Sequence, residues 1–233
     1  MKRLINQTPT PISQLWLGLL PFIILLFLYL YASDARLAAN AEDKLLPAFA
    51  TLGDSIHRLA LEENKRSGEI LLWSDTSASL IRLTLGIGIS ASLGLVVGIA
   101  TGAIPLLRAN LAPLVAVLSM VPPMAILPIL FIVFGLGEVS KVVLIVIGIA
   151  PFIMRDMSQR VMELPKEQLI KAQTLGGSTW LIILRVILPQ ILPRLLDAVR
   201  LSLGAAWLFL IAAEAIASTD GLGYRIYKRT ERA

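Results

Sequence analysis

Long runs without charged residues alternate along the chain with shorter polar segments. Five runs are apolar enough to be transmembrane helices, namely residues 4–33, 83–107, 109–137, 142–154 and 195–216. The last of them is interrupted by three charged residues, Asp197, Arg200 and Glu214. A helix rises about 1.5 Å per residue, so roughly 20 apolar residues cross a bilayer core of about 30 Å with every backbone polar group paired. The run 142–154 is shorter and needs Lys141 and Arg155 to reach the polar surface along the helix. The pattern predicts an all-α membrane bundle with about five transmembrane helices.

Prolines and small residues distinguish two of these runs. The run 109–137 contains Pro113, Pro122, Pro123 and Pro128, so we expect it to be kinked or broken. In the run 83–107, which Arg82 and Arg108 bound, small residues recur every four positions: Gly86, Ser90, Gly94, Gly98 and Gly102. This spacing places one stripe on a single helix face. The stripe predicts close packing against another helix of the chain, and a seam between two copies is the alternative.

The composition excludes several classes of protein. Hydrophobic residues make up 56% of the 233 residues and charged residues 16%, and the mean hydropathy is +0.78. Soluble domains have roughly 45–50% apolar and 25% charged residues, so the composition argues against a water-soluble enzyme. Without cysteine the chain has no disulfide framework and no thiolate nucleophile. The net charge of +5 is not arranged as a basic patch with interleaved aromatic residues, so no nucleic-acid partner is expected.

The distribution of Lys and Arg predicts the orientation. Lys2 and Arg3 place the N-terminus in the cytoplasm by the positive-inside rule. Residues 1–33 then hold the cytoplasmic end and first helix, and residues 34–81 form an external amphipathic segment. Residues 82–217 form the transmembrane core, which includes a basic cytoplasmic loop at 155–194. The rule fails for residues 218–233, which are basic yet fall outside after a fifth span.

The N-terminal run also has features of a cleaved signal peptide. Lys2 and Arg3 precede an apolar stretch, and Ala39-Asn40-Ala41 looks like a cleavage site. However, the run exceeds the usual length of about 7–15 residues, and the small residues lie well past its end. A retained membrane helix is therefore favoured.

Residues 155–194 have the pattern of an exposed pair of helices. Pro165 suits the start of a short helix at 166–175, and Gly176 suits its end. Ser178 can cap a second helix, which Pro189 and Pro193 are expected to limit or kink. The first helix would lie on the lipid surface or dock into a groove of a cytoplasmic partner.

One motif in this loop resembles the EAA loop of ABC importer permease subunits. That loop reads Glu-Ala-Ala, three residues, Gly, nine residues, then Ile-x-Leu-Pro, and the chain matches it at Ala172, Gly176, Leu188 and Pro189. It differs at Ile170, Lys171 and Val186, which replace the Glu, the first Ala and the Ile. The resemblance implies an ATPase-coupling loop that includes Pro165, Ala172, Thr174, Leu175, Gly176, Leu188 and Pro189.

Other short motifs are similar to the branch that imports nitrate, sulfonates and taurine. They include Leu46-Pro47, Val121-Pro122-Pro123 with Leu127-Pro128, Phe134-Gly135-Leu136-Gly137-Glu138, Ala213-Glu214 and Gly221-Leu222-Gly223. Their order and spacing extend over roughly residues 45–226. A carboxylate near the end of a span is costly unless it is paired, hydrated or functional, so Glu214 is a candidate gating or pathway residue.

The resemblance implies a multi-pass subunit of the bacterial inner membrane that does no covalent chemistry. Its expected partners are a second permease copy in a homodimer, cytoplasmic ATP-binding subunits and an external solute-binding protein. The chain has no Gly-x-x-x-x-Gly-Lys-[Ser/Thr] motif, so ATP and Mg²⁺ would bind to the partner ATPase and this chain would hold no cofactor. The lone histidine, His57, gives no expectation of a metal site or of a catalytic base.

Two alternatives remain from the sequence. Members of the family continue past the Gly-Leu-Gly element into a sixth span, whereas this sequence stops at Ala233. A nonfunctional truncated permease fragment, with a tail foreign to the fold, is therefore one alternative. The other is a secondary transporter, although no inverted repeat is visible.

Overall fold

The computed structural model describes residues 9–40, 45–63 and 68–230, except for the side chains of residues 229 and 230. Within these ranges the regular structure is helical, apart from one isolated bridge between Glu63 and Ile70. The chain divides into two compact units, of which one ends at Leu71 and the other begins at Leu72.

The first unit contains α1 (Pro11–Ala39) and α2 (Phe49–Leu61). Thr10 caps α1, because its hydroxyl accepts from the backbone N–H of Ser13. The segment before α2 is held to α1 by two hydrogen bonds. The Tyr29 hydroxyl donates to the carbonyl of Pro47 at 2.7 Å, and the Ser33 hydroxyl donates to that of Leu46 at 2.9 Å.

The second unit contains eight further helices and one π-helical segment. They are α3 (Leu71–Ala103), α4 (Pro105–Met120), α5 (Pro123–Phe134), α6 (Glu138–Met162), α7 (Lys166–Thr174), α8 (Thr179–Ile182), the π-helical segment Ile183–Ile187, α9 (Leu188–Ala217) and α10 (Leu222–Thr230). The central helix is α6, which packs against α4, α5 and α9. Its side chains at Leu144, Ile145, Ile153 and Met157 have no exposed surface.

The small-residue stripe of α3 lies directly against α6. A Cβ atom built on Gly86, Gly94, Gly98 or Gly102 would lie 2.3–2.7 Å from side-chain atoms of Ile145, Ile153, Met157 or Val161, respectively. Each partner lies 59 residues further along the chain, so the two helices run in the same direction with one constant register. The hydroxyl of Ser90 turns back onto its own helix and donates to the carbonyl of Gly86 at 2.7 Å. The stripe therefore serves packing within the chain.

The proline-rich run 109–137 is broken, as its prolines predict. The helices α4 and α5 meet at an angle of 93° across Val121 and Pro122. Pro122 and Pro123 have no backbone N–H, so the first helix cannot continue its hydrogen-bond ladder through them. Gly135, with φ at 76°, then ends α5 in a backbone conformation that other residues rarely adopt.

The prolines at 189 and 193 do not end the second helix of this loop, so the expectation that they limit it is wrong. The helix passes from α8 through the π-helical segment into α9, and the backbone N–H of Leu188 donates to the carbonyl of Ile183. This bond reaches one residue further back than in an α helix, which accommodates Pro189 at the first turn of α9.

Length and composition mark three of the described helices as able to cross a membrane, or four if the bent pair α4 and α5 counts as one span. They are α1, α3 and the continuous helix Thr179–Ala217. Two boundaries differ from the charge-based prediction. The helix α3 begins eleven residues before Arg82, and α6 continues past Met154 to Met162.

Candidate functional site

The predicted coupling loop forms α7, a tight turn and α8 at one end of the second unit. Gly176 adopts φ of +83°, and the backbone N–H of Gly177 donates to the carbonyl of Ala172 at 3.0 Å. This is the geometry of a glycine that closes a helix. Ser178 then caps α8 by accepting from the N–H of Leu181 at 3.3 Å. Thr174 is the last residue of α7, and Leu175 follows it in the turn.

The helix α7 is amphipathic in its contacts. Leu169 and Ala172 pack against the hydrophobic core of the second unit. The exposed apolar side chains of this segment are Ile170 of α7, Leu175 of the turn and Trp180 of α8, at 57%, 80% and 68% of their surface. Ala172 lies on the inner face, and a bulky side chain there would disturb packing within the chain.

A cleft of about 490 Å³ lies between α7 and the ends of α3 and α6. It is lined by Gly102, Arg108, Val161, Leu169 and Gln173, among others. Arg108 closes the end of α3, because its guanidinium donates to the carbonyls of Thr101 and Gly102 at 2.9 and 2.5 Å. A cation at a helix C-terminus satisfies carbonyls that have no helical donor.

The opposite end of the second unit holds a set of charged side chains and two serine hydroxyls joined by hydrogen bonds, which we call the ionic network. Its members are Asp75, Ser79 and Arg82 of α3, Glu138 and Lys141 of α6, Glu214 of α9, Ser218 and Asp220 of the following turn, and Arg225 of α10.

Arg82 is the centre of the ionic network and is only 4% exposed. Its guanidinium makes a two-pronged contact with Glu138, whose Oε1 lies 2.8 Å from Nη2. It also donates to Glu214 at 2.8 Å and to the carboxylate of Asp220 at 2.5 Å. Lys141 bridges Glu138 and the hydroxyl of Ser218, both at 2.9 Å. The guanidinium of Arg82 thus joins α3 to α6, α9 and the 218–221 turn.

Glu214 is fully buried, and its carboxylate is fully satisfied. It accepts from the hydroxyl of Ser79, from Arg82 and, at 2.9 Å, from the backbone N–H of Gly223. A buried carboxylate is tolerated only when it is paired and hydrogen-bonded in this way. The sequence-predicted gating candidate therefore acts in this structure as a tether between helices.

The first turn of α10 is capped by side chains from distant helices. Asp75 accepts from the N–H of Gly221 at 3.0 Å and from Arg225 at 2.5 Å, and the Ser79 hydroxyl accepts from the N–H of Leu222 at 2.9 Å. Together with Glu214, these groups satisfy N–H donors that a helix start leaves without partners. Within the atypical tail 218–233, residues 221–225 are therefore bonded to side chains of α3 and α9.

The Gly-Leu-Gly motif is explained by these contacts. Gly221 has φ of +103°, and a Cβ atom there would lie 2.6 Å from the Glu214 carboxyl carbon. A Cβ atom on Gly223 would lie 2.4 Å from the carbonyl oxygen of Ile211. Both positions need glycine because the turn passes directly against the carboxylate and backbone of α9.

Acidification is expected to loosen the 218–221 turn. Burial opposes ionisation of Asp220, but the hydrogen bond and charge of Arg82 outweigh it and lower the pKa of Asp220. A lowered folded-state pKa adds stability above the unfolded-state pKa, and this stability is lost as the pH falls through the folded-state value. Thermal denaturation in detergent should therefore show stability falling below about pH 4. Asp220→Asn should flatten that slope, and an unchanged slope would contradict this role.

Sequence reasoning identified Glu214 but missed most of its partners. The sequence pattern predicts a membrane boundary at Arg82 because a charge usually ends a span, whereas the structure buries this residue within the helix bundle. The available signal was spacing: Asp75, Ser79 and Arg82 continue the face of Gly86 and Ser90 at intervals of three and four residues. Intramembrane charges face the bundle interior and pair there. No group of three or more potential metal ligands occurs among the described residues.

Comparisons with known proteins identify a family of membrane transport components. Residues 90–232 match the family model described as the binding-protein-dependent transport system inner membrane component. The chain is 40% identical over 161 residues to the taurine transport system permease protein TauC of Escherichia coli, which covers 69% of this chain and 58% of that protein. It is 35% identical to the putative aliphatic sulfonates transport permease protein SsuC of Bacillus subtilis, over 72% of this chain and 60% of the relative.

A third relative is the bicarbonate transport system permease protein CmpB of Synechococcus elongatus, at 33% identity over 67% of this chain and 56% of the relative. The chain spans about three fifths of the length of these relatives. Among solved structures, the fold is similar to a chain of the MetNI methionine ABC transporter in inward-facing conformations. The TM-score is 0.53 at 22% identity, over 65% of this chain and 78% of that chain.

Proposed function

The chain belongs to the family of binding-protein-dependent transport system inner membrane components, and from this premise we propose that it is the permease subunit of an ATP-driven importer. The proposed cargo is a small solute of the kind named for its relatives: taurine, an aliphatic sulfonate or bicarbonate. Two copies of the chain would form the pathway, and an external binding protein would deliver the solute.

The observation that carries this proposal is the shape of the segment from α7 to α8. It leaves three apolar side chains exposed, namely Ile170 of α7, Leu175 of the turn and Trp180 of α8, while Leu169 of α7 packs onto the core. An exposed apolar surface on a short helix and its turn fits a hydrophobic groove on a partner. We propose that the groove belongs to an ATP-binding subunit, which would also hold the ATP and Mg²⁺.

The proposed mechanism couples the two ends of the second unit. Closure of the ATP-binding subunits would push α7. The displacement would pass to α6, which ends at Met162 just before α7, and to the continuous helix Thr179–Ala217, which begins just after it. At the other end, Arg82 and Glu214 hold α3, α6 and α9 together. The proposed orientation places α7 in the cytoplasm and the ionic network toward the external face, since residues 155–194 carry an excess of Lys and Arg.

Leu175→Glu tests the docking surface. We expect this change to reduce the ATP-binding subunit recovered with the affinity-tagged full chain at least about tenfold, because a carboxylate in an apolar interface must be desolvated without a partner. The measurement is the ratio of the two subunits after gentle detergent purification, with the ATPase identified by mass spectrometry.

Leu136→Glu is the matched control. Leu136 is also an exposed leucine in a turn, at 65% exposure, but it lies beside Glu138 at the opposite end of the unit. The control should keep the wild-type subunit ratio. Equal loss in both variants, or no loss with Leu175→Glu, would reject α7 and its turn as the docking surface.

A further inference from the structure

A second cleft, of about 410 Å³, lies where the run 109–137 breaks. One wall is the break itself, with Ser119 and Pro123, and another is the α6 face that carries Arg155 and Gln159. Phe209 of α9 closes a third side. The volume is in the range of sites that hold small molecules. The cleft shares no lining residue with the ionic network or with the cleft beside α7.

Arg155 brings an unneutralised cation to this cleft. Its guanidinium donates to the Ser119 hydroxyl at 3.1 Å. Within the described part of the chain, no carboxylate lies within 4.0 Å of it; the neighbouring Asp156, which also lines the cleft, is paired instead with Arg160 at 3.6 Å. A guanidinium has five N–H donors in a planar fork, so most of them are free for a ligand.

Apolar side chains line much of the rest of the cleft. Its walls include Leu118, Phe152 and Phe209, which offer a surface for a short carbon chain. The break brings both the end of α4 and the start of α5 to the cleft, since Ser119 and Pro123 line it, and the partial charges of these two helix ends oppose each other. The attraction for an anion therefore comes from the guanidinium of Arg155.

We propose that Arg155 is the residue that binds the anionic head group of the solute in this cleft. The proposal rests on the permease function and names the solute class as small organic anions, sulfonates or carboxylates, with or without a separate ammonium group. The planar fork of arginine matches two oxygens of such a head group at once. Ser119 positions the guanidinium, and the apolar walls accommodate a short carbon chain.

A pair of probes of nearly equal shape tests the charge requirement. Ethanesulfonate carries the anionic head group, and ethanesulfonamide replaces one charged oxygen with a neutral amide nitrogen. Ligand-observed NMR titrations would measure the Kd of each for the purified full chain in a non-ionic detergent. We expect the wild-type protein to bind ethanesulfonate at least about tenfold more tightly, because only the sulfonate adds the attraction of a full negative charge to its hydrogen bonds with the guanidinium.

The matched variants are Arg155→Gln, Arg155→Lys and Arg194→Gln. Arg155→Gln should abolish the preference for the anion, and Arg155→Lys should retain part of it because the charge remains while the fork is lost. Arg194→Gln removes the same charge from an exposed position of α9, outside the cleft lining, and should keep the preference. Arg155 is exposed, so its variants should elute as wild type in size-exclusion chromatography.

Several results would overturn the proposal. One is equal binding of the two probes by the wild-type protein, and another is an unchanged preference in Arg155→Gln. A third is an equal loss of preference in Arg155→Gln and Arg194→Gln, which would indicate a general charge effect. The proposed permease function is tested by a different measurement, the recovery of an ATP-binding subunit with the purified chain. If the wild-type chain recovers no ATP-binding subunit, the proposed function is rejected whatever Arg155 binds; if it recovers one while Arg155→Gln still prefers the anion, only the role of Arg155 is rejected.

Discussion

Arg82→Gln is expected to lower the free energy of unfolding by about 3–5 kcal/mol, the usual cost of removing one partner from a buried ion pair. Glu214 has no exposed surface, and without the guanidinium it keeps only the Ser79 hydroxyl and the Gly223 N–H as donors. Glu138 and Asp220 lose the same cation. Titration of the purified protein with a denaturing detergent, followed by circular dichroism, measures the change.

Two further variants separate the role of the ion pair from a general charge effect. Arg160→Gln removes a half-exposed arginine that pairs with Asp156 and Glu163, and it should cost less than about 1 kcal/mol. In the double variant Arg82→Gln with Glu214→Gln, the unpaired buried charge is gone, so part of the stability should return. A single variant no worse than Arg160→Gln, or a strictly additive double variant, would refute the tethering role.

Gly98→Val is expected to cost about 3 kcal/mol, the upper end of the range for overpacking a core. The added Cβ atom would lie 2.4 Å from the Cβ of Met157, 3.1 Å from the carbonyl oxygen of Met154 and 3.2 Å from the backbone nitrogen of Ser158. Because two of these atoms belong to the α6 backbone, no side-chain rotation relieves the clash. The same denaturing-detergent titration measures the loss.

Gly88→Val is the control for helix propensity and for handling of the mutant protein. Gly88 lies on the same helix, but a Cβ atom there has no neighbour within 4 Å. Its stability should stay within about 0.5 kcal/mol of wild type. If Gly98→Val proved equally harmless, α3 and α6 would not be in contact as the structure shows.

Much of this architecture could be predicted from local spacing. The four-residue recurrence of Gly86, Gly94, Gly98 and Gly102 predicts one packing face, because helix geometry alone brings such positions into line. The prolines at 122 and 123 predict a break, because they remove backbone donors. Neither pattern predicts which helix packs against α3 or that α4 and α5 meet at 93°, since both depend on side chains elsewhere in the chain.

The ionic network could not be predicted in the same way. The partners of Arg82 lie 56, 132 and 138 residues away along the chain. Hydropathy windows register only the cost of a charge and place a boundary beside it. The π-helical segment was missed for a related reason, since Pro189 usually signals a helix end, and only the bond from Leu188 to Ile183 shows that the helix continues.

The constant register between α3 and α6 has a mechanical consequence. Each glycine of the α3 stripe makes room for one side chain of α6 at a fixed position, so sliding one helix along the other would disrupt four matched contacts at once, and the pair resists shear. From Gly86 to Gly102 the contact extends for about 24 Å, at 1.5 Å per residue. The two helices would then move together as a rigid pair. A displacement imposed near Val161 would therefore be transmitted along them to the end that holds Arg82.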